Sequence, residues 1–205
     1  MPEFEPGEQP APRPETKVVD GEEYNVIRYH TAEPLDRGFF GYGWDYTVNY
    51  EKSPHLQTMF EDIQSRIGAG ASTETILQAV FDVVSDAFPN RDPEEVSDLY
   101  DQLHRQTRTP SLEDYLAAGT GHCTQTTLAA GVLLQRLENE RQIAGQHSIE
   151  ELRVEMPLTS GGHVWSKWET TEKEYVIDVV GRYLGDDEGH EKVKEHIRWL
   201  LEREG

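Results

Sequence analysis

Six stretches of this chain repeat apolar residues at three- and four-residue spacing, and five others mix β-branched and aromatic residues at near-alternate positions. The first spacing predicts helices, the second strands. Ser53 caps and Pro54 enters a helix carrying Leu56, Met59, Phe60, Ile63 and Ile67 as far as Gly68. Ser72 or Thr73 opens a second, whose Ile76, Leu77, Val80, Phe81, Val84 and Phe88 make a wide apolar face. Asp92-Pro93-Glu94-Glu95 starts a third, with Val96, Leu99, Tyr100 and Leu103 inward. A short fourth runs from Ser111 to Ala118, with Ser-x-x-Asp as its capping pattern and Gly119 as its stop. Thr120 is expected to cap a fifth that buries one stripe of Leu128, Val132, Leu133 and Leu137. Glu188 to Glu204 forms the sixth, with Val193, Ile197, Leu200 and Leu201 inward.

Strands are expected from Glu23 to His30 and from Phe39 to Tyr50, the latter placing Tyr42, Trp44 and Tyr46 on one face, as core residues in the first place and as the lining of a substrate groove in the alternative. Three more, Glu151 to Leu158, His163 to Glu169 and Glu174 to Gly181, read as an antiparallel sheet. A two- or four-residue turn between the last two sets His163 opposite Val180 and Trp165 opposite Asp178, so His163 and Asp178 share a face as diagonal neighbours. A three- or five-residue turn would put them on opposite faces.

Length and charge narrow what such a chain can be. The 205 residues suit a single domain over residues 17–205, preceded by a disordered tail at 1–16 that holds five of the eleven prolines. Acidic residues outnumber basic ones 39 to 19, a net charge of −20, which argues against a nucleic-acid partner. The acidic residues are spread along the whole chain and lysine is scarce, six against thirteen arginines, a pattern that fits either salt adaptation or an ordinary acidic surface. No apolar run is long enough to span a membrane and the N-terminus lacks a signal-peptide pattern, so the expectation is a cytoplasmic protein with no membrane partner. A single cysteine forms no internal disulfide.

That cysteine is the candidate chemistry. Cys123 lies where the fifth helix begins, and a helix N-terminus favours a thiolate over a thiol. Downstream come Gly161-Gly162-His163-Val164-Trp165 and then Tyr175-Val176-Ile177-Asp178. His190 and His196 lack HExxH spacing, since Lys194 stands where a second histidine is needed, and one thiolate is too few for a structural zinc site, so neither metal nor cofactor is expected.

A glycine-flanked Cys opening an apolar helix, then H-x-W in a strand, then Asp in the next strand resembles the transglutaminase-like superfamily of papain-like thiol enzymes, over roughly Leu112 to Gly181. The resemblance implies an α+β, papain-like fold, with a helical half carrying Cys123 packed on an antiparallel β-sheet carrying His163 and Asp178. It implies Cys123 as nucleophile, His163 as general base and acid, and Asp178 as the residue orienting the imidazole. The implied activity is cysteine-dependent acyl transfer on protein or peptide amides, more hydrolytic (peptidase or deamidase) than cross-linking. The alternatives are a catalytically silent module of the same fold that binds a partner in its groove, and a structural acidic domain.

Overall fold

The computed structural model describes residues 15–30, 34–41, 45–106, 108–155 and 160–204, the side chains of 153–155, 160–161 and 200–204 excepted. It is an α+β arrangement of two four-stranded sheets and six helices. β1 (Thr16–Val19), β2 (Glu22–Ile27), β3 (Arg37–Gly41) and β4 (Asp45–Asn49) form the first sheet in that order, with only β2 and β3 parallel. Helices α1 (Pro54–Arg66), α2 (Thr73–Ala87), α3 (Pro93–Arg105), α4 (Leu112–Ala118) and α5 (Cys123–Asn139) follow. β5 (Gln146–Glu155), β6 (Ser160–Glu169), β7 (Glu174–Asp178) and β8 (Tyr183–Gly185) make an antiparallel second sheet, and α6 (Asp187–Glu204) ends the chain.

The caps explain most helix starts. Ser53 Oγ accepts the Leu56 N–H at 3.2 Å, Ser72 Oγ the Thr75 N–H at 3.3 Å, and Asp92 Oδ1 the Glu94 N–H at 2.9 Å. Asp114 Oδ2 accepts the Ser111 N–H at 2.8 Å, and Gly119, at φ 63°, turns the chain out of α4 in a left-handed conformation that glycine adopts without steric cost.

α5 is the centre of the molecule. The sequence pattern predicts one buried stripe, but every residue from Gln125 to Leu134 is buried, because α1, α2 and α4 cover one side and β5, β6 and β7 the other. Small residues permit this. A Cβ on Gly131 would lie 2.4 Å from Leu35 Cδ1 and 2.5 Å from His147 Cε1, so only glycine lets β5 approach this closely.

Several expectations are corrected. Thr16 already belongs to β1, one residue inside the expected tail, while residues 1–14 lie outside the described ones. Phe39 to Tyr50 is two antiparallel strands, not one, and of its aromatic trio only Tyr46 is described, deep in the core; Tyr42 and Trp44 lie outside the described residues. β5 starts five residues before Glu151, and β8 adds a strand the pattern did not mark, since three residues are too few to show alternation. On α6, Val193 and Ile197 are half-buried, whereas the side chains of Leu200 and Leu201 lie outside the described residues.

Candidate active site

The turn that delivers Cys123 is built by packing against the loop after α2. Asn90 O accepts the Gly121 N–H at 3.0 Å and the Thr120 hydroxyl at 3.5 Å, so Thr120 is engaged in bridging and does not cap α5. His122 is the N-cap residue instead, its N–H donating to Gln125 Oε1 at 2.9 Å, and Cys123 becomes the first helical residue. Gly121 has to be small: a Cβ there would sit 2.5 Å from Phe88 Cδ1. As a first-turn residue Cys123 has no intrahelical acceptor for its backbone N–H, and the positive end of a seventeen-residue helix lies beneath its sulfur.

β6 and β7 bring the other two residues together. Their register pairs Ser166 with Ile177 and Glu169 with Glu174, and Thr170 N–H donates to Lys173 O at 2.9 Å, closing the turn with the parity that keeps His163 and Asp178 on one face. His163 Nε2 lies 2.8 Å from Asp178 Oδ2. Both are buried, at 4% and 1% exposure. The second carboxylate oxygen, Oδ1, accepts the Gly181 N–H at 2.7 Å. Gly181 has to be glycine for this, since a Cβ would lie 2.3 Å from Asp178 Oδ2.

Two residues that the sequence pattern did not assign to the site complete it. His190, fully buried on α6, places Nε2 2.9 Å from Asp178 Oδ2. Its ring meets Trp165 edge-on at 4.8 Å, and Trp165 in turn stacks on His163 at 6.0 Å. Arg91 clamps the two halves of the site. Its Nη1 donates to Val179 O at 3.1 Å and its Nε to Phe88 O at 3.1 Å, while Nη2 donates to Ser85 O at 3.0 Å.

The electrostatics follow from these contacts. Burial pushes the Cys123 thiol up, but hydrogen bonds from His122 and His163 and their positive charge outweigh it and hold the thiol down at about 5, from 9.0. Burial pushes His163 down, yet its hydrogen bonds to Asp178 and Cys123 and their negative charge raise it to about 10. Asp178, despite its burial, is held well below the carboxylate range by hydrogen bonds from His163, His190 and the Gly181 N–H. With Nε2 of His163 bonded to Asp178, Nδ1 is the nitrogen left for the sulfur. All three directions describe one state, a thiolate and an imidazolium side by side with a carboxylate behind them.

Among the described residues no three His, Cys, Asp or Glu side chains form a group that could hold a metal ion, and no helix is long and apolar enough to cross a membrane. No protein-family model matches this chain, and no curated protein is similar to it.

Proposed function

We propose that the chain is a cysteine-dependent acyl-transfer enzyme acting on protein or peptide amides. The observation that carries this reading is the continuous line of contacts from Cys123 through His163 to Asp178, with the thiol held at about 5. A thiolate at a helix N-terminus is a nucleophile at neutral pH. Its sulfur attacks the amide carbon, a C–S bond forms, and the carbonyl π pair moves to oxygen. The backbone N–H of Cys123 is placed to receive that oxyanion. As the C–N bond breaks, His163 gives its proton to the leaving nitrogen; water then attacks the thioester, its proton returns to His163, and the thiolate leaves. Asp178 keeps Nδ1 of the ring facing sulfur through both half-reactions.

Hydrolysis is the favoured outcome, because water needs no binding site of its own whereas cross-linking needs one for a second amine. We place the enzyme in the cytoplasm, where thiols stay reduced. The transglutaminase-like, papain-like family is part of this same proposal. One observation favours a second reading: Cys123 and His163 are only 8% and 4% exposed, which suits a silent module that keeps the residues and binds a partner elsewhere in the groove. Iodoacetamide separates the two. An enzyme labels rapidly at Cys123 near pH 6, and His163→Ala slows that labelling while the fold persists. A silent module, its sulfur closed off, labels at pH 6 no faster than the denatured chain.

A further inference from the structure

His190 has no part in the reaction drawn above, yet it is the most buried titratable group beside it. Asp178 Oδ2 receives two imidazole nitrogens, His163 Nε2 at 2.8 Å and His190 Nε2 at 2.9 Å, while Oδ1 receives the Gly181 N–H. An ionised carboxylate only accepts, so both Nε2 atoms carry hydrogen. His190 Nδ1 is buried with no hydrogen-bond partner among the described residues, the pattern of an imidazole that holds its one hydrogen on Nε2. The ring is fixed by Trp165 edge-on at 4.8 Å and Tyr183 at 5.3 Å. A helix residue locked between two aromatics, with one nitrogen spent on a carboxylate that already has a partner, is placed to compete for that oxygen.

We propose that His190 is a positioning residue that shares Asp178 Oδ2 with His163 and, by drawing on the carboxylate's charge, keeps the His163 proton mobile. The inference rests on the acyl-transfer reading for its purpose, not for its geometry. Two N–H groups on one oxygen each bond more weakly than either would alone. With His190 present, Asp178 holds the imidazolium firmly enough to orient it and loosely enough for it to release its proton to a leaving amine. Without the second donor the whole charge falls on His163. The proton is then held more tightly.

The other titratable groups near this point do not duplicate the effect. At the start of α5, Cys123 faces His163 and the cap residue His122 faces Cys123, not the carboxylate. From β8, the Tyr183 hydroxyl donates to Asp186 O at 2.8 Å. On α6 itself Lys194 is engaged by Asp187 and Glu191, at 2.9 and 2.8 Å, with its ammonium 5.2 Å from the Trp165 ring centre.

The test uses the full chain and needs no substrate. His190→Phe and His190→Leu remove the donor; His190→Gln keeps an N–H in place of Nε2. The pH profile of iodoacetamide labelling is recorded for each, with long-range proton–nitrogen NMR of the histidine rings. The expected result is that the His163 ring of the Phe or Leu variant titrates about 0.5 pH unit higher than in wild type, the size of one modest hydrogen bond, while the Gln variant stays with wild type. The labelling midpoint should not move down with it, because His163 already carries its proton where Cys123 ionises. Loss of packing alone would lower the His163 titration and raise the labelling midpoint, in all three variants. An unchanged or lower His163 titration in a folded Phe or Leu variant overturns the proposal. If neither folds, wild-type NMR decides: His190 must show a protonated Nε2 and a bare Nδ1, and the reverse tautomer overturns it. If wild-type Cys123 shows no activated thiol, the acyl-transfer reading falls. The His163 titration in the variants then decides the sharing of Asp178 by itself.

Discussion

Two buried histidines on neighbouring strands of the same sheet end in opposite charge states. His147 on β5 and His163 on β6 are 2% and 4% exposed and both lie against α5. His147 is driven from 6.5 down to about 3 by burial alone. The partner of its side chain among the described residues is neutral: Ser166 Oγ, at 3.1 Å, gives its own hydrogen to Thr127 O at 3.1 Å, so His147 Nε2 must be the donor. His163 is raised to about 10, because burial is opposed by Asp178 and Cys123. Magnitudes show why the partner decides. A fall from 6.5 to about 3 is worth roughly 5 kcal/mol. A full charge at 2.8 Å returns about 6 kcal/mol at an effective dielectric near 20, before the thiolate is counted. Burial makes a histidine neutral; a buried carboxylate beside it makes burial an advantage, since the same low dielectric strengthens the attraction.

Removing the acceptor from each relay should therefore cost different amounts. Asp178→Ala leaves the buried His163 imidazolium without its carboxylate and the His190 Nε2–H and Gly181 N–H without an acceptor, and should destabilise the fold by about 3–5 kcal/mol in urea unfolding. It should also slow alkylation at pH 6. Ser166→Ala leaves one neutral group unpaired, His147 Nε2–H, since Thr127 O keeps its bond within the α5 ladder, and should cost about 1–3 kcal/mol with the labelling profile unmoved. Equal costs in the two variants would break the comparison.

The pH dependence of stability sharpens it further. The depressed Cys123 thiol contributes above 9.0 and loses its contribution as pH falls through about 5; the raised His163 contributes below 6.5 and loses its contribution as pH rises through about 10. Between 6.5 and 9.0 the folded pair holds one proton, on His163, and the unfolded pair also holds one, on sulfur, so the two slopes cancel into a plateau. Below 6.5 His147 adds a loss of its own, because the unfolded imidazole takes up a proton that the folded one refuses until about 3. His147→Gln, which keeps a donor for Ser166 and does not titrate, should flatten the limb between pH 6.5 and 5 by about 2 kcal/mol relative to its own plateau. An acid limb as steep as wild type would mean that His147 is already charged in the native state.

Salt should produce the smallest effect. Surface repulsion from a net charge of −20 is screened by molar NaCl, so the melting temperature should rise from dilute buffer to molar salt. The buried relays are screened little, and the Cys123 labelling profile should stay where it was. A flat melting temperature would remove salt adaptation and leave an ordinary acidic surface.

What could be read from the chain was local. The caps at Ser53, Ser72, Asp92 and Ser111 stand where the pattern put them, and the turn at Thr170–Lys173 took the parity that sets His163 beside Asp178. What could not be read depends on parts of the chain meeting. Thr120 looks like the better cap than His122 until Asn90 engages it. Arg91 serves the site through backbone carbonyls, for which no side-chain motif exists. His190 left a trace: with Val193 and Ile197 it continues the inward stripe of α6 by one turn, and a histidine on an apolar stripe calls for a buried partner.

The most direct test of the charged relay is the thiolate itself. With one cysteine in the chain, the difference in ultraviolet thiolate absorbance between wild type and Cys123→Ser reports that sulfur alone. Followed from pH 4 to pH 9, it should rise with a midpoint near 5 and be complete by neutrality. A sulfur that stays protonated until about pH 8.5, like a free thiol, would contradict the account.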